Sequence, residues 1–145
     1  MNVYFAIDIG GTSVKLGLVD ETGAILAKAE ESVSFDGWKT PILTTVLRAA
    51  EDFLKVQDKK PEDLKGIAVS ATGQIDSKAG AVVGTCGNLP NYIGSNIKGE
   101  LEAKFGLPVT VANDANCMCL GEVWVGGAKG YTDVIGVTIG TGVGG

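Results

Sequence analysis

Histidine is absent from the 145-residue sequence, and cysteine is scarce, with only three residues. Without histidine, this chain can build neither a histidine-based catalytic triad nor a histidine-ligated metal site. The cysteines cannot all pair with one another and no Asn-x-Ser/Thr sequence occurs, so we expect a reducing, cytoplasmic setting. Because a zinc site normally needs four ligands, we interpret Cys86, Cys117 and Cys119 as small core residues.

Long apolar runs and clusters of basic residues are also missing. No apolar stretch reaches 18 residues, which argues against a transmembrane helix, and the N-terminal segment MNVYFAIDIGG lacks the basic region of a signal peptide. The 12 Lys and Arg residues are outnumbered by 17 Asp and Glu residues, for a net charge of −5. We therefore expect neither nucleic acid nor a membrane as a partner.

Glycine is the residue that the sequence has in excess. Its 22 residues are roughly twice the usual share of about 7%, and they cluster at a few turns. Hydrophobic residues make up 45% of the chain and charged residues 20%, which is typical of a globular protein with a buried core. The length suits one domain, or one domain plus the start of another.

The order of apolar runs and turns predicts an α/β fold with a mixed sheet. Three strands joined by tight turns, over residues 3–9, 14–19 and 24–33, predict an antiparallel meander. Apolar residues spaced three and four apart predict a helix between Trp38 and Val56. Two further helices, from about residue 95 or 96 to 105 and from about 115 to 125, and three further strands are expected. The further strands cover residues 66–70, 109–112 and 133–139.

The end of the sequence resembles its beginning. The segments AIDIGGT and VTIGTG both place Gly and Thr in a tight turn after an apolar strand. A strand followed by six residues that are mostly glycine is an unusual place for a domain to end. We therefore expect a duplicated fold whose second half is cut just after it begins.

The first glycine turn carries residues that suit phosphate binding. A glycine pair after a strand, Gly10 and Gly11, lets backbone N–H groups approach an anion closely. Thr12 adds a hydroxyl donor, Lys15 follows three residues on, and Asp8 at the strand end can hold a hydrated Mg²⁺. These residues predict a phosphate clamp, although an ordinary hairpin turn with a solvated lysine explains them equally well.

The second glycine cluster, residues 140–145, matches the pattern G-x-G-x-x-G after a strand. A dinucleotide site of that kind needs a following helix and an acidic residue about 20 positions on, which this chain does not contain. The meander also does not suit a Rossmann half, and no P-loop pattern occurs. On its own, this motif is weak evidence for a nucleotide.

Asn113 and Asp114 stand where a predicted strand passes into a helix. A carboxylate there faces the crevice at the carboxyl edge of the sheet and can accept a hydroxyl proton. Helix capping is the simpler explanation of the same pair. The loops at residues 73–74 and 88–91 carry amides of the kind that bind sugar hydroxyls, but such residues are equally common in plain turns.

Taken in order and spacing, four motifs resemble the ROK family (repressor, open reading frame, kinase). They are DIGGT at residues 8–12, NLP at 88–90, NDAN at 113–116 and IGTGVGG at 139–145. The family includes bacterial glucokinases and other sugar kinases of the actin/hexokinase/heat-shock-ATPase superfamily. The resemblance covers the whole chain and is to the N-terminal half of such a protein.

The resemblance implies a ribonuclease H-like, actin-like ATPase lobe over residues 1–118. Its mixed five-stranded sheet would combine the antiparallel meander with parallel strands and flanking helices. Residues 119–145 would be a linking helix and the first strand and phosphate loop of a truncated second lobe. We expect the strand over 133–139 to be an exposed apolar edge that folds back or pairs with a neighbouring molecule.

The resemblance also implies a role for each matching residue. Asp114 corresponds to the general base that takes a proton from the sugar hydroxyl as it attacks the γ-phosphate of ATP. Asn113 corresponds to a sugar-binding residue, and the loops of Gly73 and Asn88 would line the same cleft. The remaining residues would bind the nucleotide, with Mg²⁺ held by Asp8 through water. They are Asp8, Gly10, Gly11, Thr12 and Lys15 in the first phosphate loop, and Gly140, Thr141 and Gly142 in the second.

The implied activity is ATP-dependent phosphorylation of a hexose, with glucose as the first choice. N-acetylmannosamine, N-acetylglucosamine, fructose, allose and a β-glucoside are the alternatives. The family's zinc site, a sugar-binding Glu/His pair and most of the adenosine pocket lie in its second half. We therefore expect structural zinc only there, no useful activity from these 145 residues alone, and a homodimer for the whole protein.

Two other functions are compatible with the resemblance. ROK repressors keep the sugar-binding lobes but carry a winged-helix DNA-binding domain in front of them. Met1 lies two residues before the first predicted strand and the chain is acidic, so we expect no such domain. A non-catalytic sugar sensor is the second alternative, and the presence of Asp114 and both phosphate loops argues against it.

Overall fold

The computed structural model describes residues 1–85, 87–140 and 142–145, which form nine strands and three α-helices. The strands are β1 (Val3–Ile9), β2 (Ser13–Asp20), β3 (Ile25–Ser32), β4 (Ile67–Ala71), β5 (Gln74–Asp76), β6 (Ala81–Gly84), β7 (Val109–Asn113), β8 (Thr138–Ile139) and β9 (Val143–Gly144). The helices are α1 (Ile42–Val56), α2 (Ile97–Phe105) and α3 (Asp114–Trp124), and Pro61–Asp63 form one 3-10 turn.

Five of the strands form a mixed sheet in the order β3-β2-β1-β4-β7. The first three pair antiparallel as a meander, and β4 and β7 run parallel to β1. The predicted mixed five-stranded sheet is therefore confirmed. Helix α1 connects the meander to β4, and α2 leads into β7, as crossover connections between parallel strands require.

One face of the sheet packs against α1 and α2 and forms the core. The apolar face of α1, predicted from its three-and-four spacing, is buried through residues such as Ile42, Val46 and Phe53. Phe5 of the central strand β1 is fully buried, stacks on Phe53 with ring centroids 5.7 Å apart, and meets Phe105 of α2 edge-on at 6.4 Å. These three aromatic rings join the sheet to both helices.

The helix ends follow ordinary capping chemistry. The Asn96 side chain accepts a hydrogen bond from the N–H of Gly99 at the start of α2, and Gly106 ends that helix in the left-handed conformation. Pro41, which has no N–H to leave unsatisfied, precedes the first residue of α1. Within the described part of the chain, no helix combines the length and apolar character needed to cross a bilayer.

The prediction of a strand over residues 133–139 is wrong for most of its length. Only Thr138–Ile139 form a strand, β8, which folds back to pair with β9. A strand needs a neighbouring backbone to bond with, and the five-stranded sheet ends at β7 without one for residues 133–137 in the described ranges. Ile135, Val137 and Ile139 are consequently exposed, at 94%, 60% and 85%.

An ion-pair cluster on the surface links α1 to α2. Lys104 Nζ lies 2.6 Å from Glu51 Oε2, and Lys55 Nζ lies 2.8 Å from Glu51 Oε1. Hydrogen bonds from Lys104 and then Lys55 lower the pKa of Glu51 from its usual 4.5 to about 2. The carboxylate is therefore held in its charged form by two lysines from different helices.

Replacing Glu51 with glutamine is expected to lower the thermal midpoint slightly at neutral pH and low salt. Because the pKa of Glu51 is lower in the folded chain, this stabilisation is complete above pH 4.5 and is lost as the pH falls through about 2. The side chains are exposed, so added salt screens the effect. Melting curves at neutral pH and near pH 2, with Glu62→Gln as an exposed control, test this. A midpoint for Glu51→Gln equal to that of the unmodified chain at neutral pH and low salt would contradict it.

Candidate functional site

Three parallel strands bring the predicted site segments to one edge of the sheet. Ile9 of β1 pairs with Ala71 of β4, and Ala71 pairs with Asn113 of β7. Because neighbouring strands lie about 4.8 Å apart, the carboxyl ends of β1 and β7 are about 10 Å apart. The turns 10–12 and 72–73 and the start of α3 follow directly from these strand ends. Ligands bind at this edge in open α/β sheets.

Two hydrogen bonds fix the turn of residues 10–12, and two of its backbone N–H donors remain free. The Gly10 N–H donates to the Ser13 carbonyl at 2.9 Å, and the Trp38 indole N–H donates to the Gly11 carbonyl at 2.7 Å. The N–H groups of Gly11 and Thr12 have no acceptor among the residues that the structure describes. Two adjacent free donors in a tight turn, beside the Thr12 hydroxyl, are the arrangement that binds an anion.

Asp8 lies at the end of β1, next to this turn. Its Oδ1 accepts a hydrogen bond from Ser70 Oγ at 2.8 Å, and its Oδ2 lies 3.8 Å from Lys15 Nζ. The side chain is 46% exposed, so the carboxylate is open to a hydrated cation. No group of three or more Cys, Asp or Glu side chains converges in the described ranges. One carboxylate beside a turn with free N–H donors nevertheless fits Mg²⁺, which is usually held by one or two carboxylates together with substrate phosphates.

Asn113 caps α3 and also ties it to the neighbouring turn. Its Oδ1 accepts hydrogen bonds from the N–H groups of Ala115 at 3.0 Å and Asn116 at 3.4 Å. Its Nδ2 donates to the Gly73 carbonyl at 2.7 Å. The capping role is confirmed, and three hydrogen bonds orient the amide so that one of its N–H donors is left over.

Asp114 is the first residue of α3 and is exposed at the edge of the sheet. Its Oδ1 accepts a hydrogen bond from the N–H of Ala115 at 2.9 Å. Its Oδ2 has no hydrogen-bond partner within the described residues. The positive end of the helix dipole favours a negative charge at this position. The arrangement therefore presents one free carboxylate oxygen that can accept a proton.

Two loops complete the surroundings. A carbon attached to Gly11 would lie 3.3 Å from Leu89 Cδ2, so the loop of Asn88 abuts the first glycine turn. A carbon attached to Gly144 would lie 2.9 Å from the Cβ of Ala115, which places the hairpin of β8 and β9 beside the start of α3.

The tip of that hairpin is closed by a hydrogen bond from the Gly140 N–H to the Gly142 carbonyl at 2.9 Å. Thr141, which was also predicted to bind phosphate, lies outside the described residues. The first glycine turn therefore follows β1 directly, and the hairpin of β8 and β9 lies beside the start of α3.

Two residues that support Asp8 and the first glycine turn were not predicted from the sequence. Ser70 pairs with Asp8 across β1 and β4, and its role is visible only from the strand register. Trp38 reaches Gly11 from 27 residues away, and it does so with a left-handed backbone of φ 60°. Trp38 is one of only two tryptophans in the chain and follows Gly37, and this pairing is a weak sequence signal of a structured turn.

The prediction of core cysteines is wrong for the two that the structure describes. Cys117 and Cys119 are only partly buried. Helix α3 is buried at Ala115 in its first turn, but further along it is open to solvent, since Leu120 is 66% exposed. Burial raises the pKa of the Cys117 thiol, and a hydrogen bond with Ser70 partly offsets this effect. Cys86 lies outside the described residues.

The sheet order β3-β2-β1-β4-β7 defines a lobe of the actin-like ATPase fold. In this lobe a glycine turn joins β1 to β2, and helix α3 starts at the end of β7. The resemblance seen in the four motifs is also confirmed at the level of the family. The chain belongs to the ROK family, whose model matches residues 4–145.

Individual relatives are described as kinases or, more distantly, as a regulator. A β-glucoside kinase from Listeria innocua is 40% identical over 141 residues, which cover 97% of this chain and 44% of that protein. A ROK family glucokinase from Streptomyces griseus, solved with glucose and AMPPNP, matches with a TM-score of 0.81 and 29% identity over 99% of this chain and 43% of that one.

A ROK family transcriptional regulator, a homologue of the E. coli MLC protein, matches 85% of this chain and 30% of that one. Its TM-score is 0.68 at 22% identity, which shows a shared fold and no more. The chain spans about half the length of the curated relatives it matches.

Proposed function

We propose that this chain is the N-terminal part of an ATP-dependent hexose kinase, with glucose as the first candidate substrate. The observation that carries the proposal is the placement of two free N–H donors beside Asp8 and a free carboxylate oxygen on Asp114 at the same edge of the sheet. Phosphoryl transfer depends on positioning and charge stabilisation, and these groups can supply both. The kinases among the relatives support the same activity.

In this proposal, the turn of residues 10–12 binds the β- and γ-phosphates of ATP. The free N–H groups of Gly11 and Thr12 and the Thr12 hydroxyl are the donors. Gly140, Thr141 and Gly142 form the second loop around the phosphates, and Lys15 adds positive charge near Asp8. Asp8 would hold Mg²⁺ through water, and the ion would supply positive charge that offsets the charge of the phosphates.

The sugar is proposed to lie over Asn113, next to the loops of Gly73 and Asn88. The Asn113 side-chain oxygen is already engaged by two backbone N–H groups, and one of its N–H donors is engaged by Gly73. The remaining N–H is left to donate to a sugar hydroxyl. Because the other bonds fix the amide, this donor is held in one direction before the sugar binds.

Asp114 acts as the general base in the proposed reaction. Its free carboxylate oxygen takes the proton from the sugar hydroxyl, and the hydroxyl oxygen forms a bond to the γ-phosphorus. The bond between that phosphorus and the bridging oxygen of ADP breaks, so the products are a sugar phosphate and ADP. A positioned base contributes about 10²–10⁴-fold to such a step.

An ADP-release assay on the whole protein tests this function and identifies the sugar. The panel contains glucose, N-acetylmannosamine, N-acetylglucosamine, fructose, allose and a β-glucoside, each with Mg²⁺ and ATP. We expect turnover that depends on one of these sugars, and no sustained turnover from the 145-residue chain alone. Sugar binding by calorimetry without ADP release would instead favour a sugar-responsive regulator or sensor.

The homodimer, the cytoplasmic location, the zinc in the second half and the boundary between residues 118 and 119 remain predictions. Helix α3 runs continuously across that boundary.

A further inference from the structure

Tyr92 is the largest fully buried side chain in the described part of the chain, and it lies under the candidate sugar site. It is 1% exposed. Its hydroxyl donates to the Thr72 carbonyl at 2.7 Å, and its ring lies 3.6 Å from where a side-chain carbon on Gly73 would stand. A buried tyrosine requires a partner for its hydroxyl, and here that partner is the turn after β4.

The turn of Thr72 and Gly73 contacts two other segments of the site. The Thr72 N–H donates to the Ile9 carbonyl at 2.9 Å, immediately before the first glycine turn. The Gly73 carbonyl accepts from Asn113 Nδ2 at 2.7 Å. A displacement of this turn would therefore change the direction of the Asn113 amide and with it the one donor left for a ligand.

We propose that Tyr92 is a positioning residue of the sugar site, whose hydroxyl fixes the Thr72–Gly73 turn and through it the Asn113 amide. Tyr92 does not contact the substrate in this proposal, which rests on the proposed function of the same site. Burial, followed by the charge of Asp114, raises the pKa of the Tyr92 phenol. The hydroxyl therefore remains a donor throughout the pH range in which such an enzyme would be assayed.

The alternative is that Tyr92 only fills space in the core. Tyr92→Phe separates the two roles, because it keeps the ring and removes the hydroxyl. Ser95→Ala is the matched control: the Ser95 hydroxyl donates to the Tyr92 carbonyl at 2.6 Å, so this variant loses a hydrogen bond in the same loop without touching Thr72. Melting curves establish that both variants are folded.

The kinetic test uses the whole enzyme. Loss of one hydrogen bond that orients the site is expected to raise the KM for the sugar about 3- to 10-fold in Tyr92→Phe. The kcat and the KM for ATP should stay within about twofold of the unmodified enzyme, and Ser95→Ala should leave all three unchanged within the same margin. An unchanged sugar KM in Tyr92→Phe, or an equal rise in Ser95→Ala, would overturn the proposal.

A double-mutant cycle tests whether Tyr92 acts through Asn113. If it does, Tyr92→Phe should raise the sugar KM far less when combined with Asn113→Ala than it does alone. Additive effects of the two substitutions on KM would show that Tyr92 acts by another route and would overturn the proposal.

NMR spectroscopy of the 145-residue chain separates failure of this proposal from failure of the kinase function. The Asn113 side-chain amide should exchange faster with solvent in Tyr92→Phe than in the unmodified chain, and Ser95→Ala should not change it. This readout requires no turnover. An unchanged exchange rate in Tyr92→Phe would refute the positioning role even if the enzyme is a kinase, whereas absent turnover with faster exchange would refute only the kinase function.

Discussion

Asp114→Asn is expected to lower the kcat for sugar phosphorylation by about 10²–10⁴-fold in the whole enzyme. Asparagine keeps the size of the side chain and can still accept the hydrogen bond from the Ala115 N–H. It cannot take the proton from the attacking hydroxyl, so the proposed chemical step loses its base. Binding of the sugar should weaken but remain measurable, because the Asn113 amide and the neighbouring loops are untouched.

The control for this variant is Glu100→Gln. Glu100 is an exposed acidic residue in the first turn of α2, as Asp114 is in the first turn of α3. Both substitutions remove a negative charge near the positive end of a helix, which costs about 0.3–1 kcal/mol at an exposed position. Steady-state kinetics and sugar calorimetry on both variants give the comparison. A kcat for Asp114→Asn within tenfold of the unmodified enzyme would remove Asp114 from the role of base.

Gly73→Ala is expected to destabilise the chain by about 2–4 kcal/mol and to abolish sugar binding. Gly73 has a φ of +97°, which a residue with a side chain adopts only under strain. A carbon attached there would also lie 2.7 Å from the Gly84 carbonyl oxygen, a backbone atom that cannot move without shifting β6. The turn would have to open, and the Gly73 carbonyl would then lose the Asn113 amide.

Gly94→Ala is the control that separates the backbone strain of a positive φ from the steric clash with Gly84. Gly94 has a φ of +89°, but a carbon attached there meets nothing within 4 Å. Its replacement should therefore cost only the conformational strain, about 1–2 kcal/mol. Urea unfolding of both variants measures the difference. Equal losses of stability would show that the contact with Gly84 is unimportant and that the turn can adjust without disturbing the site.

The strands of the meander, the helices and the family could be predicted because their signals are local. The spacing of Ile42, Val46 and Phe53 predicts α1 whatever it packs against, and turns rich in glycine separate the strands of the meander. The four motifs that identify the family are short segments of contiguous sequence. The position of Asn113 directly before a helix likewise predicts its capping role.

The strand predicted over residues 133–139 failed because strand formation is not local. Its apolar residues favour a strand, yet a strand forms only where another backbone offers hydrogen bonds. Of residues 133–139, only Thr138–Ile139 have such a partner within the described part of the chain. The prediction that Cys117 and Cys119 are core residues failed for a related reason, since an apolar residue on a helix is buried only where the helix packs against another element.

The sequence by itself determined the class of the fold, the family and the types of residue available for phosphate binding and proton transfer. Only the tertiary structure decided which of them act together. It places Ser70 on Asp8, Trp38 on Gly11 and Tyr92 under the turn that orients Asn113. These contacts join residues 20 to 62 positions apart. Strand register and side-chain packing create such contacts, and no local pattern of sequence encodes them.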